Sequence, residues 1–238
     1  MALGNKTLQD LLDPISKQMG HTAIAEKVEL PEWQHKPWRC TDGMNQEQLV
    51  DKFVEEAGKI GITVVRTPAA DIAKAVAGII EEGVPEAPAS CTVVAANDER
   101  FAASGLYDTV SGLGNVSELT IWDNAKGQAN ADAAEAAAYG ITYAVAGIAE
   151  TATIVQPSGA NCGRTTSLLP LVHIALVDAA TIKPIMLDVL KDLEAQVQEG
   201  PLSSSICFIS GPSATADIEL VRVQGVHGPM YIYYVLVD

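Results

Sequence analysis

An α/β fold built on a mainly parallel sheet follows from three features of the sequence. Amphipathic helical segments alternate with short apolar runs from residue 45 onward. Several of those runs are β-branched and apolar on consecutive positions, the pattern of strands covered on both faces. A hydrophobic content of 48% in 238 residues is ample for a single well-buried core. The expected architecture is therefore three-layered, with helices on both faces of the sheet.

Residues 1–43 stand apart from this pattern. Leu8, Leu11, Leu12 and Ile15 recur at helical spacing and predict a short amphipathic helix. The stretch LPEWQHKPWRCTDG follows, with Trp33 and Trp38, and predicts an extended arm that packs on this domain or on a neighbouring chain.

From residue 44 to 238 the elements run in order as one α/β domain. NQEQLVDKFVEEAGKIG predicts a helix capped by Asp42 or Asn45 and followed by Gly61, leading into the strand ITVVR. DIAKAVAGIIEEG predicts a helix followed by Gly83, then the strands CTVVAAN and LTIWD. GQANADAAEAAAYG reads as a helix, ATIVQP and HIALVD as strands, and Asp178 to Thr181 as the opening of a helix that ends near Gly200. SICFISG and YIYYVLV complete the strands. No internal repeat, low-complexity tract or long linker interrupts this region, so one domain is expected.

Composition narrows the function. Fifteen basic residues against 30 acidic ones give a formal charge of −15 and a pI near 4.5, which repels phosphate backbones and anionic lipid, so nucleic acid is not expected as a partner. The most apolar stretch, AAAYGITYAVAGIA, falls short of the roughly 20 residues that span a bilayer, and the acidic N-terminal region does not resemble a signal peptide. A cytoplasmic protein without a membrane-spanning segment is expected. Cys40, Cys91, Cys162 and Cys207 lie far apart with no CxxC, and no two histidines have ligand spacing, so neither an iron–sulfur cluster nor another metal is expected in this chain. Cys91 and Cys207 read as buried thiols, and His173 as a hydrogen-bonded residue at a strand start.

Three segments carry candidate chemistry. In AGIAETATIVQPSGANCGRTTSLLP, Glu150 stands between a strand and Thr151 and Thr153. A glycine-rich loop then delivers Arg164, Thr165, Thr166 and Ser167, suited to holding a carboxylate or phosphate. The plainer reading is that Glu150 ends a turn and pairs with Arg164 at the surface. In ISGPSATADIEL, Gly211 and Pro212 end a strand ahead of Ser213, Thr215, Asp217 and Glu219, which read either as acid–base residues or as a capped turn. In GVHGP, His227 between two glycines offers an imidazole for proton transfer or anion binding. Dinucleotide, P-loop and serine-hydrolase signatures are absent from the sequence.

The segments AGIAETATIV, RTTSLLPLVHIALV and SGPSATADIELVRVQGVHGP, in this order and spacing, resemble the lactate utilisation protein C family, whose members consist essentially of a LUD domain. The resemblance implies a fold like that of glucosamine-phosphate deaminase, ribose-phosphate isomerase, CoA transferases and formyltetrahydrofolate cyclo-ligase. It implies the cluster-free subunit of a bacterial system that oxidises L-lactate to pyruvate, with the iron–sulfur clusters in partner subunits. On this reading Glu150 and His227 are the proton-transfer residues. A small carboxylate such as lactate is held by Arg164 and the backbone around Gly211 to Ser213, with Thr151, Thr153, Ser167, Ser210, Asp217 and Gly228 beside it, in one pocket at the carboxyl edge of the sheet. One departure stands out: Ala152 occupies the place of a common family glycine. The alternatives are a free-standing enzyme acting on a sugar phosphate, acyl-CoA or folate, as the fold relatives do, and a non-catalytic assembly subunit. A homo-oligomer is compatible with each.

Overall fold

The computed structural model describes residues 8–20, 39–199, 203–215 and 223–238. The chain divides into two compact units, Met1–Arg39 and Cys40–Asp238. Within the first, helix α1 (Leu8–Gln18) forms where the apolar spacing predicts it. The arm with Trp33, Trp38, His21 and His35 lies outside the described residues, as do Asp217 and Glu219.

The second unit carries helices α2 (Gln46–Lys59), α3 (Ile72–Glu82), α4 (Glu99–Ala103), α5 (Leu106–Ser111), α6 (Gln128–Ala136), α7 (Thr165–Leu168) and α8 (Met186–Glu199). Its strands are β1 (Thr63–Thr67), β2 (Cys91–Ala95), β3 (Val116–Ile121), β4 (Tyr139–Tyr143), β5 (Ala146–Ile148), β6 (Thr153–Pro157), β7 (Val172–Asp178), β8 (Ile182–Lys183), β9 (Ile206–Ile209), β10 (Ala214–Thr215), β11 (Val223–Gln224) and β12 (Tyr231–Val237). Six strands form the main sheet in the order β1-β12-β7-β4-β2-β3, and every neighbouring pair is parallel. The chain adopts the expected α/β architecture, a mainly parallel sheet with helices on both sides.

Local chemistry explains the helix boundaries. Asn45 caps α2 through a reciprocal capping box with Gln48, and Leu49, Val50, Phe53 and Ala57 form its buried stripe. Phe53 stacks on Tyr234 of β12 with ring centroids 5.4 Å apart, which anchors the helix to the centre of the sheet. One boundary differs from the sequence reading. Asp178 to Thr181 ends β7 and forms a 3-10 turn, and α8 begins only at Met186. Pro184 holds the preceding residue extended, so Ile182–Lys183 becomes strand β8 instead of a first helical turn.

The chain returns to the sheet as β4 directly after α6, which the sequence reading extended through Tyr139 and Gly140. All five residues of β4 are buried. Gly140 is required there, because a Cβ would lie 2.0 Å from the Thr166 carbonyl oxygen and 2.8 Å from Pro170 Cγ. α7 can thus lie against the bare backbone of β4.

ATIVQP and SICFISG do not join the parallel sheet. They form β6 and β9 of a second sheet, ordered β8-β5-β6-β9, in which β6 pairs antiparallel with both β5 and β9. The four residues from Ala149 to Ala152 join β5 to β6, and so short a link allows only an antiparallel pair. One face of the main sheet packs on α3, α4 and α5 through a core including Val76, Ile80, Phe101, Ile141 and Leu176. The opposite face packs on α2 and on β5 to β6 residues such as Ala149 and Ile154. α8 covers the outer side of the second sheet, with Val189 against Ala146, Ile148 and Val155.

Candidate functional site

The turn between β5 and β6 carries Glu150 and Thr151 into solvent while its backbone is fixed from below. Ala149 N–H donates to the Lys183 carbonyl at 2.8 Å, and Glu150 N–H to that of Pro184 at 3.2 Å. Ala152 closes the turn with φ +48°, the one positive φ outside glycine among the described residues, and is fully buried. Its carbonyl accepts a hydrogen bond from Tyr234 Oη. The Glu150 carboxylate lies 4.0 Å from Cys40 Sγ. Beside it, Thr151, Thr153 and Ser210 form a chain of hydroxyls with separations of 2.7 and 2.5 Å. Gly211 follows at φ +111° with Ile60 beneath it.

The two polar loops near the C-terminus are the ends of one antiparallel ribbon, β10 with β11. Ser213 N–H donates to the Pro229 carbonyl at 2.9 Å, Gly225 N–H to the Ser213 carbonyl at 2.8 Å, and His227 N–H to Ser213 Oγ at 3.3 Å. A side chain at Gly228 would meet Ser213 Cβ at 3.3 Å and the Leu168 carbonyl at 3.7 Å, so the ribbon comes close to the end of α7. The His227 side chain is exposed. The Ser213 N–H is thus committed to Pro229, which leaves the Ser213 hydroxyl as the group able to turn toward a ligand. Asp217 lies outside the described residues.

Arg164 opens α7 with its guanidinium exposed and without a hydrogen bond or ion pair to another described residue. The expected surface pair with Glu150 does not form. Ser167 is buried and donates to the Arg164 carbonyl at 3.1 Å, which closes the helical turn. Beneath α7, His173 Nε2 lies 2.8 Å from Thr142 Oγ1, and burial lowers its pKa to about 3, so the ring is neutral. His173 is the hydrogen-bonded residue at a strand start that the sequence predicts.

The structure thus joins Thr151, Thr153 and Ser210 in one cluster and Ser213, His227 and Gly228 in another, linked through Gly211 and Pro212. Among the described residues, no hydrogen bond or ion pair connects Glu150, Arg164 and His227. The ribbon also meets the main sheet at the amino ends of β7 and β12, where Met230 N–H donates to the Leu171 carbonyl, and not at the carboxyl edge expected for the pocket.

The carboxyl edge holds other residues. A cleft of about 440 Å³ opens beyond β2 and β4, lined among others by Asn97, Asp98, Arg100, Tyr143, Gln156 and Cys162. Arg100 makes a two-pronged contact with Asp98, Nε to Oδ1 at 2.8 Å and Nη2 to Oδ2 at 2.7 Å, and its guanidinium lies 3.3 Å above the Tyr143 ring centroid. Tyr143 Oη donates to Asp178, which also sits 3.5 Å from Arg100 Nη1. The hydrogen bond from Arg100 lowers the pKa of Asp98, while burial and the Asp178 contact raise that of Tyr143. Burial pushes the Cys162 thiol up to about 12, so it is protonated at neutral pH. Sequence reasoning missed this edge. Its one local signal is the polar run NDER directly after the apolar strand CTVVAA, whereas Tyr143 and Gln156 are hidden inside apolar runs.

Residues 50–237 match the LUD domain, the greater part of the chain. The chain belongs to the LUD domain family. Full-length relatives of this LUD protein agree. "Lactate utilization protein C" of Geobacillus sp. (strain WCH70) is 34% identical over 233 residues, covering 95% of this chain and 93% of that protein. The protein of that name from Oceanobacillus iheyensis is 30% identical over 240 residues, covering the whole of both chains. A crystal structure of a DUF162 family protein from Deinococcus radiodurans shares the fold, with a TM-score of 0.56 at 19% identity over 82% of this chain and 99% of that one. Among the described residues of this LUD protein, no group of three or more His, Cys, Asp or Glu is placed to hold a metal ion. Nor is any described helix long and apolar enough to cross a membrane.

Proposed function

We infer that this LUD protein serves lactate utilisation, as the cluster-free subunit of an assembly in which iron–sulfur partners take the electrons when L-lactate is oxidised to pyruvate. The observation that carries the reading is similarity over nearly the whole chain to proteins named lactate utilization protein C. The chemistry removes a hydride equivalent from C2 of lactate and a proton from its hydroxyl, so it needs a carboxylate anchor, a base and an electron acceptor. Arg164, exposed and without a partner among the described residues, suits the anchor. Glu150 and the exposed His227 suit proton transfer, and the Thr151–Thr153–Ser210 chain supplies hydroxyls beside Glu150. The cytoplasmic setting belongs to the same reading.

The test is lactate-dependent reduction of an artificial electron acceptor, first by this protein alone and then with its iron–sulfur partners. Activity confined to the mixture is expected. Full activity of the isolated chain, or none in a mixture whose clusters are intact, would overturn the reading.

A further inference from the structure

The carboxyl-edge cleft has the attributes of a site that the lactate reading does not use. In the main sheet, β2 connects outward to β3, whereas the chain leaving β4 returns toward β7. The two neighbouring strands therefore send their connections in opposite directions. The crevice beyond the carboxyl ends of such a pair is where open α/β sheets bind ligands. The cleft lined by Asn97 to Arg100 and by Tyr143 lies at this point.

Its lining says what kind of ligand fits. Gln156 is 5% exposed, and its Nε2 donates to the Pro157 carbonyl at 3.2 Å, which orients the amide and leaves Oε1 buried without a partner. Gln156 lines the cleft, and a turn of its side chain would bring the unpaired oxygen to a donor held there. The charges argue against an anion: Asp98, Glu99 and the neighbouring Asp178 surround one guanidinium, and both prongs of Arg100 that suit a carboxylate are already held by Asp98. The Cys162 thiol, protonated at neutral pH, adds no nucleophile and no charge. Asn97 and Asn161, both exposed, place further amide groups at the rim.

We propose that this cleft binds a small uncharged molecule that presents hydroxyl or amide donors, one of them to Gln156 Oε1. The inference does not rest on the lactate reading, and the two can fail independently.

The experiment is a titration of the uniformly ¹⁵N-labelled full chain with lactamide, an uncharged hydroxy-amide, and in parallel with lactate, its anionic counterpart. Lactamide is expected to shift the amide signals of Asn97, Asp98, Asn161 and Cys162 and the Gln156 side-chain amide in a saturable way at millimolar concentration. Gln156→Met, which keeps the shape and removes the acceptor, is expected to weaken binding at least about fivefold. Lactate is expected to leave the Asn97, Asp98 and Gln156 signals unmoved, while Asn161 and Cys162, on the same loop as Arg164, respond to binding there and are kept out of this comparison. If Gln156→Met does not fold, Asn97→Ala at the exposed rim takes its place, with weakening of about threefold expected. Absence of a saturable shift at these residues, equal binding of lactate there, or an unchanged affinity in the folded variant would each overturn the proposal.

Discussion

The Tyr234 hydroxyl lies 3.0 Å from the carbonyl oxygen of Ala152 and 3.2 Å from that of Ile209, so one buried phenol ties β12 of the main sheet to the β5–β6 turn and to the end of β9 in the second sheet. Burial raises the pKa of this hydroxyl, which stays a proton donor at every physiological pH. The turn that carries Glu150 is set by this bond. Tyr234→Phe keeps the stacking on Phe53 but leaves buried carbonyls without their donor, and is expected to cost about 1–3 kcal/mol. Urea unfolding checks this, and an unchanged midpoint would contradict the assigned role.

Ala152 tolerates its left-handed backbone because it is small. Ala152→Gly relieves about 1–2 kcal/mol of backbone strain but gives up a buried methyl worth about 0.8 kcal/mol and adds chain entropy to the unfolded state. Stability within about 1 kcal/mol of the parent is expected. Ala152→Val places a β-branched residue at positive φ in a filled core, and a loss of about 2 kcal/mol or more is expected. Equal midpoints for the two variants would remove the conformational argument.

Gly140 offers a sharper case. Its added Cβ would meet the backbone oxygen of Thr166 at 2.0 Å, and backbone cannot swing aside as a side chain can. Gly140→Ala is expected to cost more than about 3 kcal/mol, or to displace α7 and with it Arg164. A variant as stable as the parent, with unshifted α7 amide signals, would show that α7 does not rest on β4.

His173 makes a signed pH prediction. Its pKa is about 3 in the folded chain, against about 6.5 unfolded, so between these values the unfolded chain binds a proton that the native one does not. Its contribution to stability is whole above about pH 6.5 and is lost as the pH falls toward 3, with a slope of up to about 1.4 kcal/mol per pH unit. His173→Gln should flatten the acid limb of a stability-against-pH curve between pH 6 and 4. Parallel curves for variant and parent would mean that the ring is not buried neutral.

Glu150→Gln and His227→Asn test catalysis against scaffolding. Each should lower lactate-dependent reduction by roughly 10²-fold or more in the reconstituted assembly while leaving assembly itself intact. Both side chains are exposed, so folding should be unaffected. Unchanged turnover would leave these residues without a catalytic part.

The sequence by itself determined the α/β class, α2 with Asp42 or Asn45 as its cap, α3, and the parallel strands β1, β2, β7 and β12, because helical periodicity, capping and β-branched apolar runs are local properties, and the structure chose Asn45. The turn residues Glu150 to Thr153 and the loops at Ser213 and His227 were legible as polar clusters for the same reason. Only the tertiary structure decided that β6 and β9 leave the parallel sheet, that β4 exists as its buried member, and that the ribbon carrying His227 meets the amino ends of β7 and β12. An apolar run fits any buried strand, and which neighbour it pairs with depends on loop length and on close approaches such as Thr166 over Gly140. The carboxyl-edge cleft is the extreme case. Arg100 meets Tyr143 and Asp178, and Gln156 meets Cys162, only after separate segments have packed together, and no spacing along the chain records those contacts.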